Sequence, residues 1–267
     1  MRKALRANGR NQPDDDDALV RCPGCMLAFL NRGTPMNLNA DFSRRAAVHC
    51  SAIDWVDSPM KGVSRKMLDR IGDEVARATS VVRYAPGSHF SAHTHGGGEE
   101  FLVLEGVFQD EHGNYPAGSY VRNPPRSSHT PGSEAGCIIL VKLWQFSQSD
   151  SHQLRLPADR VPPTHGPFRP HVQLQPLHRD ERESVRIETW APDQEILLDP
   201  SGGLELFVLG GSFSESGERF DAWSWLRLPP GQRLRASTGP AGTRLWVKEG
   251  HLANPDVELP QVPAQRQ

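Results

Sequence analysis

His93 and His95 are separated by one residue, Glu99 follows after Gly96-Gly97-Gly98, and His129 lies 34 positions beyond His95. Side chains alternate along an extended strand, so His93 and His95 share a face, and Glu99 returns to that face once the glycines have turned the backbone. Three neutral imidazoles and one carboxylate around a divalent ion carry a net charge of about +1. That donor set suits Zn, Fe(II), Mn, Ni or Co and is poor for Ca or Mg. Four protein donors leave one or two positions for water or substrate on a five- or six-coordinate ion, which admits Lewis-acid or dioxygen chemistry. A closed tetrahedral zinc site is structural or sensory instead. The expectation is one divalent transition metal per chain, Zn or Fe(II) foremost with Mn or Ni as alternatives, held by His93, His95, Glu99 and His129.

Neighbouring residues compete for roles at this site. His89 has the parity of His93 and His95 but sits in the turn after Pro86-Gly87. Phe90 and Phe101 lie close to the ligands, Phe101 with the parity of Glu99, and Tyr120 and Arg122 stand on the strand leading to His129. All four are candidates to line a pocket. Pointing inward, Tyr120 and Arg122 would orient an oxygenated anionic substrate; the competing reading makes them packing and surface residues.

The elements that position these groups come in two copies. Tyr84-Ala-Pro-Gly87 is echoed by Trp190-Ala-Pro-Asp193, Glu100 to Phe108 by Glu205 to Phe213, Asn123-Pro-Pro125 by Leu228-Pro-Pro230, and Val141-Lys142-Leu143 by Val247-Lys248-Glu249, all at offsets of 105 or 106 residues. Two related domains in tandem follow. Within each, short β-branched or aromatic runs are bounded by Gly, Pro, Asn and Asp: Thr79 to Tyr84, Phe101 to Leu104, Ser119 to Arg122, Cys137 to Phe146, Leu204 to Leu209, Trp223 to Leu228 and Thr243 to Val247. These are the marks of an all-β jelly roll. Residues 64–77, with Met67, Leu68, Ile71 and Val75, also fit an amphipathic helix, a reading that Gly72 weakens by about 1 kcal/mol.

In the second copy Leu198 or Asp199, Pro200 or Ser201, Leu204 and Leu234 occupy the places of His93, His95, Glu99 and His129. The second domain is therefore expected to bind no metal there, and to cover a face of the first domain, form a homodimer contact or hold a ligand in an apolar cavity. Glu205 aligns with Glu100, inside the copy without histidines, which favours Glu99 as the ligand and makes Glu100 structural. The predicted layout is an N-terminal extension over 1–40 that is disordered or a start-site artefact, a metal-binding domain over 41–150, a Pro-rich linker over 151–172, a degenerate domain over 173–254 and a loose tail over 255–267.

Composition narrows the function classes. The 30 basic and 32 acidic residues are mixed along the chain for a net charge of -2, which gives no general footprint for nucleic acid or anionic membrane. No run approaches a membrane span and no hydrophobic signal core follows Met1-Arg2-Lys3, so a cytoplasmic protein is expected. The four cysteines make no disulfide framework, and Cys22-Pro-Gly-Cys25 has CxxC spacing without a second half-site. The expected partner is a small-molecule ligand or substrate.

Gly87-x5-His93-x-His95-x3-Glu99-x6-Gly106, with Pro116-x-Gly118 and then His129, resembles the two motifs of the cupin superfamily. The wider text, Val63-Ser-Arg-Lys-Met-Leu-Asp-Arg-Ile-Gly72 through Gly98-Glu-Glu-Phe-Leu-Val-Leu-Glu-Gly106 to Arg122-Asn-Pro-Pro125 and Ser128-His129-Thr-Pro131, resembles the ChrR-like cupins over about residues 45–148. The resemblance implies two tandem cupin barrels, double-stranded β-helices, the second degenerate. It also implies two functions. One is a metal-dependent dioxygenase acting on a small ketone or related oxygenated compound. The other is a non-catalytic zinc-binding sensor related to the anti-sigma factor ChrR but without its sigma-binding helical domain, for which about 40 residues before the cupin leave too little chain.

Overall fold

The computed structural model describes residues 36–253 apart from 74, 158–159 and 167. The expectations for 1–35, for Cys22 and Cys25 and for the tail from Pro255 lie outside the described residues; the extension predicted over 1–40 does not reach that far, since Asn37–Leu38 is a strand paired with Val63–Ile71. Among the described residues strands dominate, joined by turns, with one short 3-10 turn at Cys50–Ala52. Val63–Ile71 is a strand paired antiparallel with Arg77–Tyr84, and the helical alternative for 64–77 is not adopted. Gly72, at φ 107°, instead begins the turn between them.

Two sheets, each curled into a barrel, carry the architecture of a two-domain all-β cupin. The first runs Asn37–Leu38, Val63–Ile71, Arg77–Tyr84, Cys137–Leu143, Glu99–Asp110, Tyr120–Asn123 and Leu154–Leu156. The second runs Thr164–Gly166, Arg169–Arg179, Ser184–Trp190, Leu234–Glu249, Leu204–Glu215, Ser224–Leu228 and Ala46–His49. The two barrels exchange edges. Ala46–His49, early in the chain, pairs with Ser224–Leu228 of the second barrel, and Leu154–Leu156 returns to pair with Tyr120–Asn123 of the first.

That exchange corrects the linker reading of 151–172. The prolines there mark turns, while Leu154–Leu156, Thr164–Gly166 and the start of Arg169–Arg179 are paired strands. Proline is tolerated because it falls between strands or where its missing N–H breaks no essential ladder bond. Pro170 lies inside the Arg169–Arg179 strand at a register irregularity.

Three apolar clusters result. Phe101, Val103, Phe108, Tyr115, Val121, Ile139 and Val141 fill the first barrel. Trp190, Leu204, Phe213, Phe220, Leu228, Leu234 and Leu245 belong to the core of the second. Leu68, Val81, Leu102, Tyr120 and Leu140 of the first meet Leu177, Ile187, Phe207, Trp225 and Trp246 of the second. Period-two alternation on Glu99–Asp110 divides the work: Glu99, Phe101 and Val103 face into the barrel, while Glu100 and Leu102 face its partner.

The junction also buries charge, and the duplicated residues meet their counterparts' partners. Glu100 pairs with Lys248, and Glu205 with Lys142 at 2.6 Å, so each barrel contributes one glutamate and one lysine across the seam. The Tyr120 hydroxyl donates to Glu100 at 2.9 Å, and Trp225 Nε1, its counterpart, donates to Glu205 at 2.7 Å. Such pairs repay their desolvation only when fully hydrogen-bonded, and these carboxylates are.

Candidate metal centre

His93–Thr94 and Ser128–His129 form a two-stranded ladder in which His93 lies opposite His129. His95 follows beyond it, its backbone held by Ser127 and Arg126. The glycines then reverse the chain under two aromatic rings. A Cβ on Gly97 would fall inside the Trp144 indole, and one on Gly98, at φ 77°, would lie 2.5 Å from the Phe146 ring. Glycine is thus needed for both space and conformation, and the turn delivers Glu99 at the start of the next strand.

The three histidines converge, and Glu99 lies against two of them. The imidazole centroids of His93, His95 and His129 are 4.8 to 5.0 Å apart. Glu99 Oε2 lies 3.5 Å from both His95 Nε2 and His129 Nε2. His95, Glu99 and His129 are buried and His93 is exposed, so one side of the cluster meets solvent. His95 Nε2 and His129 Nε2 are buried with no hydrogen-bond partner. Orphaned buried nitrogens are costly, about 1–3 kcal/mol each, unless something else accepts their lone pairs. Donors about 3.5 Å apart surround an ion at bonds of about 2.1 Å. The residues fit a divalent transition metal.

Supporting groups orient the donors. Asn123, opposite Glu99 in the ladder, donates through Nδ2 to Glu99 Oε2 at 3.1 Å. Asp110 Oδ2 stands 3.5 Å from His129 Nδ1, leaving Nε2 for the ion. Asp110 Oδ1 accepts from the Tyr115 hydroxyl at 3.0 Å and from the His112 amide at 2.8 Å. Burial would raise the Asp110 carboxyl, yet His129 and these donors hold it below the usual range. Burial also opposes a charged His129, and the facing Asp110 and Glu99 carboxylates outweigh that and raise it, whereas burial leaves His95 lowered. Burial, with the Glu99 charge behind it, pushes the Tyr84 phenol far up, so it stays protonated.

The expected pocket residues divide. Phe101 packs 4.6 Å from Phe108, which lies 5.8 Å from His129, so Phe101 fills the barrel beneath the site. Phe90 stacks edge-on to Tyr84 at 5.3 Å on the same side. Tyr120 and Arg122 are not brought to the cluster; they alternate with inward-facing Val121 and Asn123 and face the second barrel. Arg122 pairs there with Glu183 at 3.0 Å and Asp150 at 3.2 Å. Glu100 is bound at the junction and takes no part in the cluster, and His89 lies in a ladder with Gly132.

Asn123, Asp110 and Tyr115 escaped the sequence reading, although a signal for two of them was present. In the second copy Glu99, Asn123, His129 and Tyr115 become Leu204, Leu228, Leu234 and Phe220, all members of one apolar core. The ligands and their supports are replaced together. That core is packed with large side chains where an apolar ligand cavity had been one expectation for this barrel, so its interior is structural.

Comparison with known proteins agrees with this architecture. A family model described as the ChrR cupin-like domain matches residues 43–147. A candidate dioxygenase from Nostoc punctiforme aligns with a TM-score of 0.65 at 14% identity, over 84% of this chain and 88% of that one. The bacterial pirin YhhW from Escherichia coli, in complex with nickel(II), gives 0.55 at 13% identity, over 77% and 98%. HEPD from Streptomyces albus, with 2-hydroxyethylphosphonate and Fe(II) bound, gives 0.56 at 10% identity, over 83% and 79%. At these identities the likeness is one of fold. No curated protein matches the chain.

Proposed function

Residues 43–147 belong to the ChrR cupin-like family, and on that premise we propose that the protein is a metal-dependent, dioxygenase-type enzyme acting on a small ketone or related oxygenated compound. The observation that carries the reading is the asymmetric burial of the donors: His95, Glu99 and His129 are enclosed while His93 faces solvent, so a small molecule reaches the cluster from one side. A bound ion, Fe(II) by preference, supplies Lewis acidity and a redox partner for dioxygen. The chain's own groups do the rest. Asn123 fixes the Glu99 carboxylate, Asp110 sets the tautomer of His129, and Phe101 and Phe108 keep water from the floor of the site. The Tyr84 hydroxyl, kept protonated, offers a donor to an oxygenated substrate. The reading is of a cytoplasmic enzyme.

The family match itself favours a second reading, a zinc-holding sensor in which the same donors close around the ion without turnover. Metal analysis of protein purified without added metal, then anaerobic Fe(II) reconstitution and oxygen-uptake measurement with small ketones, separates the two. Uptake that requires Fe(II) and is lost in His95→Ala supports the enzyme. Stoichiometric zinc with no uptake after reconstitution sinks it in favour of the sensor.

A further inference from the structure

We propose that the chain holds a second divalent-metal site where the two barrels meet, with His178, Asp180 and Glu183 as donors and His152 beside them. The three donors lie on the hairpin between Arg169–Arg179 and Ser184–Trp190. Its turn is locked from within. Asp180 Oδ1 accepts the amides of Arg182 and Glu183 at 2.8 Å each, and the Asp180 amide donates to the Glu183 carbonyl at 3.0 Å. The second carboxylate oxygen, Oδ2, is thereby turned towards His178 Nε2 at 3.2 Å. One donor atom from each of His178, Asp180 and Glu183 lies within 4.8 Å of the other two.

The surroundings suit an ion. His178 and Glu183 are buried, Asp180 is exposed, and an open cleft of about 430 Å³ bounded by Ser147, Asp150 and His152 reaches His178 and Asp180. The His152 ring stacks 5.5 Å from His178, close enough to supply a fourth nitrogen by rotation. Glu183 also receives Arg122 Nη2 at 3.0 Å on one oxygen and Lys248 Nζ at 3.0 Å on the other. A carboxylate offers about four lone-pair directions, so a metal takes one that these cations leave. One or two imidazoles with two carboxylates suit Zn, Mn or Ni, and the neighbouring cations make this the weaker of the two sites.

The first barrel is an internal control. Its matching hairpin, between Val63–Ile71 and Arg77–Tyr84, carries Asp69, Ile71 and Arg77 at the positions that the strand pairing aligns with His178, Asp180 and Glu183. The hairpin at this place in the first barrel therefore lacks this donor set, and the barrel fold does not demand it.

The test is equilibrium dialysis of full-length, metal-stripped protein against Zn(II), with metal per chain measured by mass spectrometry. Two equivalents are expected in the parent protein and one in the His93→Ala, His129→Ala double variant. Adding Asp180→Asn, which keeps the Oδ1 turn bonds but removes the anionic donor, should weaken that remaining equivalent at least about tenfold with an unchanged circular dichroism spectrum. Adding His178→Ala should abolish it. A double variant that binds no Zn(II), or whose remaining equivalent is indifferent to Asp180→Asn, overturns the proposal and reduces His178–Asp180 to a turn-stabilising bond. A parent protein that loses an equivalent with Asp180→Asn but none with the double variant overturns the first-site assignment instead.

Discussion

Glu99 and Glu100 are neighbours on one strand and serve opposite faces of it: Glu99 Oε2 is 3.5 Å from two imidazoles inside the barrel, while Glu100 Oε1 accepts the Tyr120 hydroxyl at 2.9 Å in the seam between barrels. Their substitutions should separate cleanly. Glu99→Ala is expected to cost metal affinity with a small change in melting temperature. Glu100→Ala should keep the metal, leave Lys248 with Glu183 as its one carboxylate partner and take the acceptor from the Tyr120 hydroxyl, at about 2–3 kcal/mol, which is roughly 5–10 °C in melting temperature for a chain of this size. Metal content and thermal unfolding of the two variants decide it.

Asp110 acts on the metal through His129. Asp110→Asn keeps the acceptor for Tyr115 but no longer favours the correct imidazole tautomer. Metal affinity should fall by about 10–100-fold with little loss of fold, as read by competition against a chromophoric chelator.

Lys142 is buried against Glu205, which also accepts from Trp225 at 2.7 Å and meets His251 at 2.9 Å. Lys142→Met leaves a buried carboxylate without its cation and should destabilise by about 3–5 kcal/mol. Combining it with Glu205→Gln, which keeps an acceptor for Trp225, should recover part of that loss. Denaturant titration of the single and double variants measures the recovery, and a double variant no more stable than Lys142→Met would exclude charge stranding as the cause.

Stability should fall on mild acidification because of the same cluster. Burial lowers the His251 imidazole to about 4. A histidine that protonates near 6.5 when unfolded and near 4 when folded contributes fully above the first value and is withdrawn as pH falls towards the second, up to about 3 kcal/mol. Glu205 works in the same direction: burial opposes its ionisation, but Lys142 and His251 hold it well below its ordinary value, so its contribution disappears at still lower pH. Urea unfolding at pH 7.5 and pH 5, on the parent and on His251→Asn, should show a pH dependence that the variant reduces.

The two barrels, the gathering of His93, His95 and His129 and the separation of Glu99 from Glu100 were legible, because each depends on the repeat, local spacing or strand parity. For Tyr120 and Arg122 the sequence leaves both readings open, pocket lining or packing and surface, for a physical reason. Parity shows that they share a face but not which face is inside when both faces of a strand are buried, as they are here against the barrel interior and the second barrel. The prolines of 151–172 misled similarly, since strands as short as Leu154–Leu156 fit between them and depend on partners far away in sequence. Asn123 was readable only by asking which residues are lost together in the second copy, where Leu228 pairs with Leu204 as Asn123 pairs with Glu99.

The exchanged edge strand bears on the order of events during synthesis. Val48 of Ala46–His49 pairs with Trp225, a residue made 177 positions later. At translation rates of about 5–20 residues per second that strand waits roughly 10–35 s for its partner, with its backbone donors exposed to solvent or to another chain. The metal-binding barrel can assemble around its ligands early, but the chain as a whole closes only when the barrel that binds no metal at the equivalent position has left the ribosome.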